Sequence, residues 1–129
     1  KGCVVTIRGR HRNFNMWEPK SFGAYTAMTQ QEAFSKYDMK DLKRAGTYKA
    51  LNRLIQGSAA DQTKQAIIDC YNNDHRPLLQ IHDELCFNIK SEADTIVIKE
   101  KMEHCLDDVP MKVPSKVDIA IGDNWGDAS

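Results

Sequence analysis

The sequence predicts an α+β fold: a small antiparallel sheet with helices packed on one face, preceded by a basic hairpin and helices. Three observations predict it. A β-branched run over residues 3–7 is followed by Gly9 and a second alternating stretch, apolar residues recur at three- and four-residue spacing from Ile55 to Tyr71, and a period-two apolar stripe runs between Leu78 and Lys90. Hairpin, helices, hairpin, helix and strand in that order favour helices covering one face of an antiparallel sheet.

Each element has its own justification. Residues 3–7 and 10–14 flank an Arg8-Gly9 turn, giving a hairpin with a cationic tip that carries Arg8, Arg10 and Arg12. Residues 15–28 mix Pro19, Gly23 and aromatics without either period and read as irregular connection. Thr29 and Glu32 fit a capping box, so a short helix begins near residue 30. A second, basic helix is expected over 40–54, weakened by Gly46. Ile55, Ala59, Thr63, Ala66, Ile67, Cys70 and Tyr71 mark one face of a long helix that ends at Asn72-Asn73. Leu79, Ile81, Leu85, Phe87 and Ile89 then alternate, interrupted only by Asp83. Ser91 through Asp94 make a helix start, and Ile98, Met102, Cys105 and Leu106 continue an apolar helical face to Val109-Pro110. Residues 116–121 alternate again, with Val117, Ile119 and Ile121 on one side and Asp118 facing away. No repeat, low-complexity tract or linker interrupts this order.

With 129 residues, 41% hydrophobic and 28% charged, the composition excludes collagen-like, mucin-like, disordered and disulfide-stapled chains and predicts one sizeable core. Cys3, Cys70, Cys86 and Cys105 form no CxxC pair and no zinc-like cluster with the histidines, so a reduced, intracellular chain is expected. Apolar runs of three or four residues predict neither a membrane span nor a secretory leader.

The net charge of zero conceals a split. Residues 1–53 hold eleven Lys/Arg against four acids, net +7, while residues 54–129 hold seven against fourteen, net −7. The first segment is therefore expected to face a polyanion and the second to be solvated by its carboxylates or to hold cations. Chance segregation of surface charge is the bland alternative.

His82-Asp83-Glu84 falls at the bend of the second hairpin, where side chains project beyond the sheet edge. Adjacent acids there repel unless solvent or a cation compensates them. Hard carboxylate oxygens suit Mg2+ or Mn2+, ions commonly shared between one or two protein carboxylates and substrate phosphates. An ordinary acidic turn would use the same residues.

The segments 52–61 (NRLIQGSAAD), 80–85 (QIHDEL) and 122–125 (GDNW), with the hairpin 6–10 (TIRGR), resemble the C-terminal portion of family A DNA polymerases, the family of the bacterial repair polymerase and phage replicative enzymes. The resemblance covers nearly the whole chain in the right order. It implies that the sheet is polymerase palm-like, that residues 1–53 adjoin the fingers and 54–129 form the C-terminal part of the palm. It implies that His82, Asp83 and Glu84 are the third polymerase motif: Asp83 one of two aspartates that hold the catalytic metals, Glu84 an auxiliary carboxylate and metal neighbour, His82 close to the primer end. Two metals in such a site activate the primer 3′-hydroxyl and stabilise the leaving pyrophosphate.

The resemblance also places Asn52 and Gln56 beside the primer-template, where amides donate and accept in the minor groove. Gly57, Ser58, Ala59 and Ala60 let that helix approach DNA or a neighbouring sheet closely. Bacterial members commonly carry arginine where Tyr48 stands and proline where Leu54 stands. Arg44, Lys49 or Arg53 is left to supply the backbone-contacting charge, and Arg10 adds to it from the hairpin. Asp61, Asp69 and Asp118 read as structural, and Trp125 as a packing anchor.

The family's first motif, with the other metal-binding aspartate, and its second, with the nucleotide-gripping helix, are absent from these residues. The chain alone is thus expected not to polymerise, to be a fragment or subunit whose missing part lies N-terminal (Lys1 stands where Met would), and to self-associate when isolated. Its expected partners are primer-template DNA, deoxynucleoside triphosphates and the remainder of the polymerase, in the cytoplasm of a bacterial or phage-infected cell. A non-catalytic DNA-binding module derived from a polymerase, and a small metal-dependent nuclease, are the alternatives.

Overall fold

A computed structural model describes residues 2–21, 23 and 26–128. The chain divides into two units, Lys1–Ser58 and Ala59–Ser129. In the first, β1 (Cys3–Val5) and β2 (His11–Asn13) form the predicted antiparallel hairpin, Val4 opposite Arg12. Thr6 N–H donates to Arg10 O at 2.9 Å, and Gly9, at φ 78°, takes the left-handed conformation that the tip requires.

Two expectations fail in this unit for one reason. β3 (Trp17–Pro19), in the stretch expected to be irregular, pairs antiparallel with β4 (Leu42–Arg44), inside the expected basic helix. Pairing buries Leu42 to 4% exposure in a cluster with Met28 and Ala33, against which Trp17 packs. Gly46, at φ 70°, then breaks the chain direction where a helix was expected to continue. Instead of a helix over 40–54, single 3-10 turns stand at Met39–Asp41 and Thr47–Lys49. The short helix α1 (Gln30–Lys36) starts as predicted: Thr29 Oγ1 accepts from Glu32 N–H at 3.3 Å. Phe34 meets Trp17 edge-on at 5.2 Å between centroids.

Helix α2 runs over Ala50–Asn72 as one element, so the two helices expected around residue 54 are continuous from Ala50. In the second unit, β5 (Pro77–Ile81) and β6 (Glu84–Phe87) form the predicted hairpin, followed by α3 (Glu92–Glu103). The Asp94 carboxylate closes the α3 N-terminus, accepting from Lys90 N–H at 2.7 Å and Ser91 N–H at 3.1 Å. Those two amides, with His75 behind them, hold Asp94 below the usual carboxylate range.

Helix α3 stops at Glu103, short of the expected Val109. Cys105 and Leu106 are nevertheless buried, in a cluster with Ala66 that Leu85, Met102 and Val109 complete. All four cysteines are free, and burial pushes the Cys70 thiol up to about 11.

Residues 116–121 have no ladder partner among the described residues, so the expected last strand does not form. Its apolar side splits accordingly: Val117 is half-buried while Ile119 and Ile121 are exposed. Val117 N–H is tied to the Glu103 carboxylate at 3.0 Å, which holds Glu103 below its ordinary range. Trp125, expected to anchor packing, sits on the four-residue α4 (Trp125–Ala128) and is 57% exposed. In place of one sizeable core, nine apolar side chains are buried among the described residues, and the clusters they form are small. Among the described residues, three separate two-stranded ladders each leave a face for neighbours to cover.

Candidate functional site

His82 and Asp83 are the two-residue loop of the β5–β6 hairpin, with Ile81 paired to Glu84 beneath them. Such a short loop matches strand twist only when residues in it take positive φ, and His82 does so at 54°. Histidine is among the non-glycine residues enriched in that region. Gln80 Nε2 donates to His82 O at 3.0 Å across the turn. The apex is thus built locally, with one non-glycine residue held in a sparsely populated conformation, a form of strain that clusters at functional sites.

The two-residue loop also splits the predicted stripe. It pairs odd with even positions, so Leu79 and Ile81 share a face with Cys86 and Glu84, while Leu85 shares one with Gln80. Leu85 packs on the Ala66–Cys105–Leu106 cluster and fixes the hairpin to the helices. Asp83 is therefore not an intruder on a buried face; it is the exposed tip.

Asp83 and Glu84 are both exposed, and neither makes an ion pair among the described residues. Both line a groove of about 980 Å³ that Asp118, Asp123 and Lys116 also line. Four carboxylates against one ammonium make its potential negative, which concentrates cations. No three His, Cys, Asp or Glu side chains come close enough to form a metal cluster among the described residues. The donor set nonetheless fits a hard divalent ion of the kind that takes one or two protein carboxylates and completes its shell with water and phosphate oxygens.

The residues expected at nucleic acid lie in the first unit. Asn52 and Gln56, four apart on α2, are exposed on one helix face, while Arg53, Leu54, Gly57 and Ser58 are half-buried on the other. Arg10 Nη2 donates to Gly57 O at 2.9 Å, and Arg44 Nη1 to Phe14 O at 3.0 Å. Arg44 also lies 4.2 Å over the Trp17 ring and Arg53 5.0 Å over Phe14. These guanidiniums are held in place by the fold. Sequence reasoning missed the partners on the hairpin side, Thr6 and Ile7, because they join α2 from about fifty positions away.

A family model described as DNA polymerase family A matches residues 1–127. The chain belongs to that family. It is 37% identical over 107 residues to a DNA-directed DNA polymerase of Pseudomonas phage M6, covering 83% of this chain and 16% of that protein. It is 46% identical over 145 residues to DNA polymerase I of Bacillus subtilis (strain 168), covering 99% of the chain and 13% of the relative. It is 34% identical over 146 residues to DNA polymerase theta of Drosophila melanogaster, covering 98% of the chain and 6% of the relative. The chain thus spans less than a fifth of the length of each of these relatives. No solved structure matches it. Within a family A polymerase segment, the exposed His82-Asp83-Glu84 apex is the strongest candidate for chemistry and the Asn52/Gln56 face for substrate contact. No helix of the described residues is long and apolar enough to cross a membrane.

Proposed function

We propose that the chain is the C-terminal palm portion of a DNA-directed DNA polymerase, acting in DNA replication or repair in the cytoplasm of a bacterial or phage-infected cell. Residues 1–53 are its basic segment adjoining the fingers, and 54–129 its part of the palm. The observation that carries the reading is Asp83 at the exposed apex of a two-residue hairpin loop, Glu84 beside it, in a chain of this family.

In this reading Asp83 offers carboxylate oxygens to magnesium or manganese, Glu84 adds negative potential at the same edge, and His82 fixes the turn that aims them. Bound there, the metal supplies Lewis-acid activation of the primer 3′-hydroxyl and neutralises charge on the leaving pyrophosphate. Asn52 and Gln56 read the primer-template through donors and acceptors that match both A·T and G·C minor-groove edges. Arg10, Arg44 and Arg53 supply phosphate-neutralising charge.

The remainder of the polymerase is the obligatory partner. Among the described residues β6 is paired on one edge only and residues 116–121 run without a ladder, and the groove that both line gives room for a further segment of the polymerase. Large apolar side chains such as Tyr48, Leu51, Leu78, Ile96 and Val113, at 68–78% exposure, also support burial against missing parts and self-association in isolation. The test is labelled primer-template with and without Mg2+. The chain alone is expected neither to extend nor to cleave it, and the chain joined to the remaining polymerase is expected to extend it. Cleavage by the isolated chain, or magnesium-independent binding with no extension after joining, overturns the reading.

A further inference from the structure

We propose that Thr6, Arg10 and Gly57 form a clasp that sets the spacing between the cationic β1–β2 hairpin and the Asn52/Gln56 amides, making them positioning residues for primer-template recognition. The inference rests on the polymerase reading of Gln56.

Three contacts define the clasp. A Cβ on Gly57 would meet Thr6 Cγ2 at 2.8 Å, closer than any side chain tolerates, so the hairpin touches the helix backbone itself at this point. Arg10 Nη2 donates to Gly57 O at 2.9 Å, and Ile7 N–H donates to Ser58 Oγ at 3.3 Å. Thr6 is buried, and its Oγ1 accepts from Arg10 N–H at 3.1 Å, so one side chain both shapes the hairpin tip and meets the helix. The Arg53 guanidinium over the buried Phe14 ring adds a second point of attachment one turn earlier on α2.

The geometry gives this packing a functional consequence. Gly57 follows Gln56 directly, and Asn52 lies four residues before Gln56 on the exposed face. Any slip of α2 against the hairpin therefore moves both amides relative to the hairpin's cations. Phosphate contacts fix a protein's register on a duplex while groove contacts read it, so correct reading requires a fixed distance between the two sets. The clasp links the β1–β2 hairpin directly to α2 by hydrogen bonds, and it is made at the residue beside the reader.

The test uses the complete polymerase and primers ending in adenine or in 3-deazaadenine, which lacks the minor-groove N3 acceptor. The parent is expected to extend the deaza primer about tenfold less efficiently, the worth of one hydrogen bond. Gln56→Ala is expected to be indifferent to the change. Gly57→Ala is expected to become equally indifferent and to raise KM for primer-template about tenfold with KM for nucleotide unchanged, since its methyl displaces the hairpin. Thr6→Ser removes Cγ2 and keeps the hydroxyl, so the Thr6→Ser/Gly57→Ala pair is expected to recover the deaza penalty and return KM to within about threefold of the parent. If Gly57→Ala does not fold, Thr6→Val carries the test: it keeps the methyl, loses the acceptor for Arg10 N–H, and is expected to show the same indifference. A deaza penalty retained in Gly57→Ala or Thr6→Val while Gln56→Ala has lost it overturns the clasp alone. A penalty retained in Gln56→Ala overturns the reading beneath it as well.

Discussion

Leu106→Ala probes what holds the Asp83 hairpin in place. Leu106 is 5% exposed and packs with Ala66 and Cys105, while Leu85, two residues beyond Asp83, joins the same cluster. Removing a buried leucine's outer carbons costs 2–5 kcal/mol, depending on how far the site collapses. Met102 and Val109 border this one and are only partly buried, so they can relax into the space, and we expect a cost of about 3 kcal/mol, in the lower half of that range. At 1.36 kcal/mol per tenfold, that is roughly a 150-fold increase in opening of the local structure. Native-state hydrogen exchange of the β6 and α3 amides reads it directly, in whatever length of chain is studied. Acceleration confined to β5, β6, α3 and the second half of α2 is the expected pattern. Less than a tenfold change at the Leu85 amide would show that this cluster does not anchor the hairpin.

Two further outcomes follow from local geometry. Gly46→Ala meets no atom within 4 Å but must hold φ 70°, so backbone strain alone is expected to destabilise the β3–β4 ladder by about 1 kcal/mol, measured as a shift in denaturant midpoint. Asp94 has its folded pKa held below the ordinary 3.8, so its contribution to stability is present above that value and is lost as pH falls through the lower, folded one. Asp94→Asn keeps an acceptor at the α3 N-terminus and loses the titration; an acid titration followed by circular dichroism is expected to show α3 less sensitive to pH below about 4, and an unchanged acid transition would contradict the assignment.

Much of the architecture was legible because it is local. The β1–β2 hairpin announces itself by a β-branched run and Gly9, α1 by Thr29, and α3 by Ser91 and Asp94, all within a few residues of what they organise. The β3–β4 ladder was not legible, since Trp17 and Arg44 pair across a stretch that includes a helix, and neither strand is long enough to show a period. Residues 116–121 alternate as a strand should, yet alternation specifies a face and not a neighbour, and no neighbour pairs with them among the described residues. The exposed Asp83 turn was legible because one carboxylate broke an apolar alternation, although the two-residue loop places the flanking residues on opposite faces. The clasp beside Gln56 was not, because its hydrogen bonds join residues 47 and 51 positions apart.

In the proposed polymerase reading, the Asp83 carboxylate serves the chemistry and does not hold the fold. Asp83→Asn in the complete polymerase keeps the shape and exposure of the turn and removes only the charge. Single-turnover nucleotide incorporation is expected to fall by at least about a thousandfold, the scale of losing one preorganised transition-state contact, while affinity for primer-template stays within about twofold. Incorporation at the parental rate would contradict a metal-holding role for Asp83.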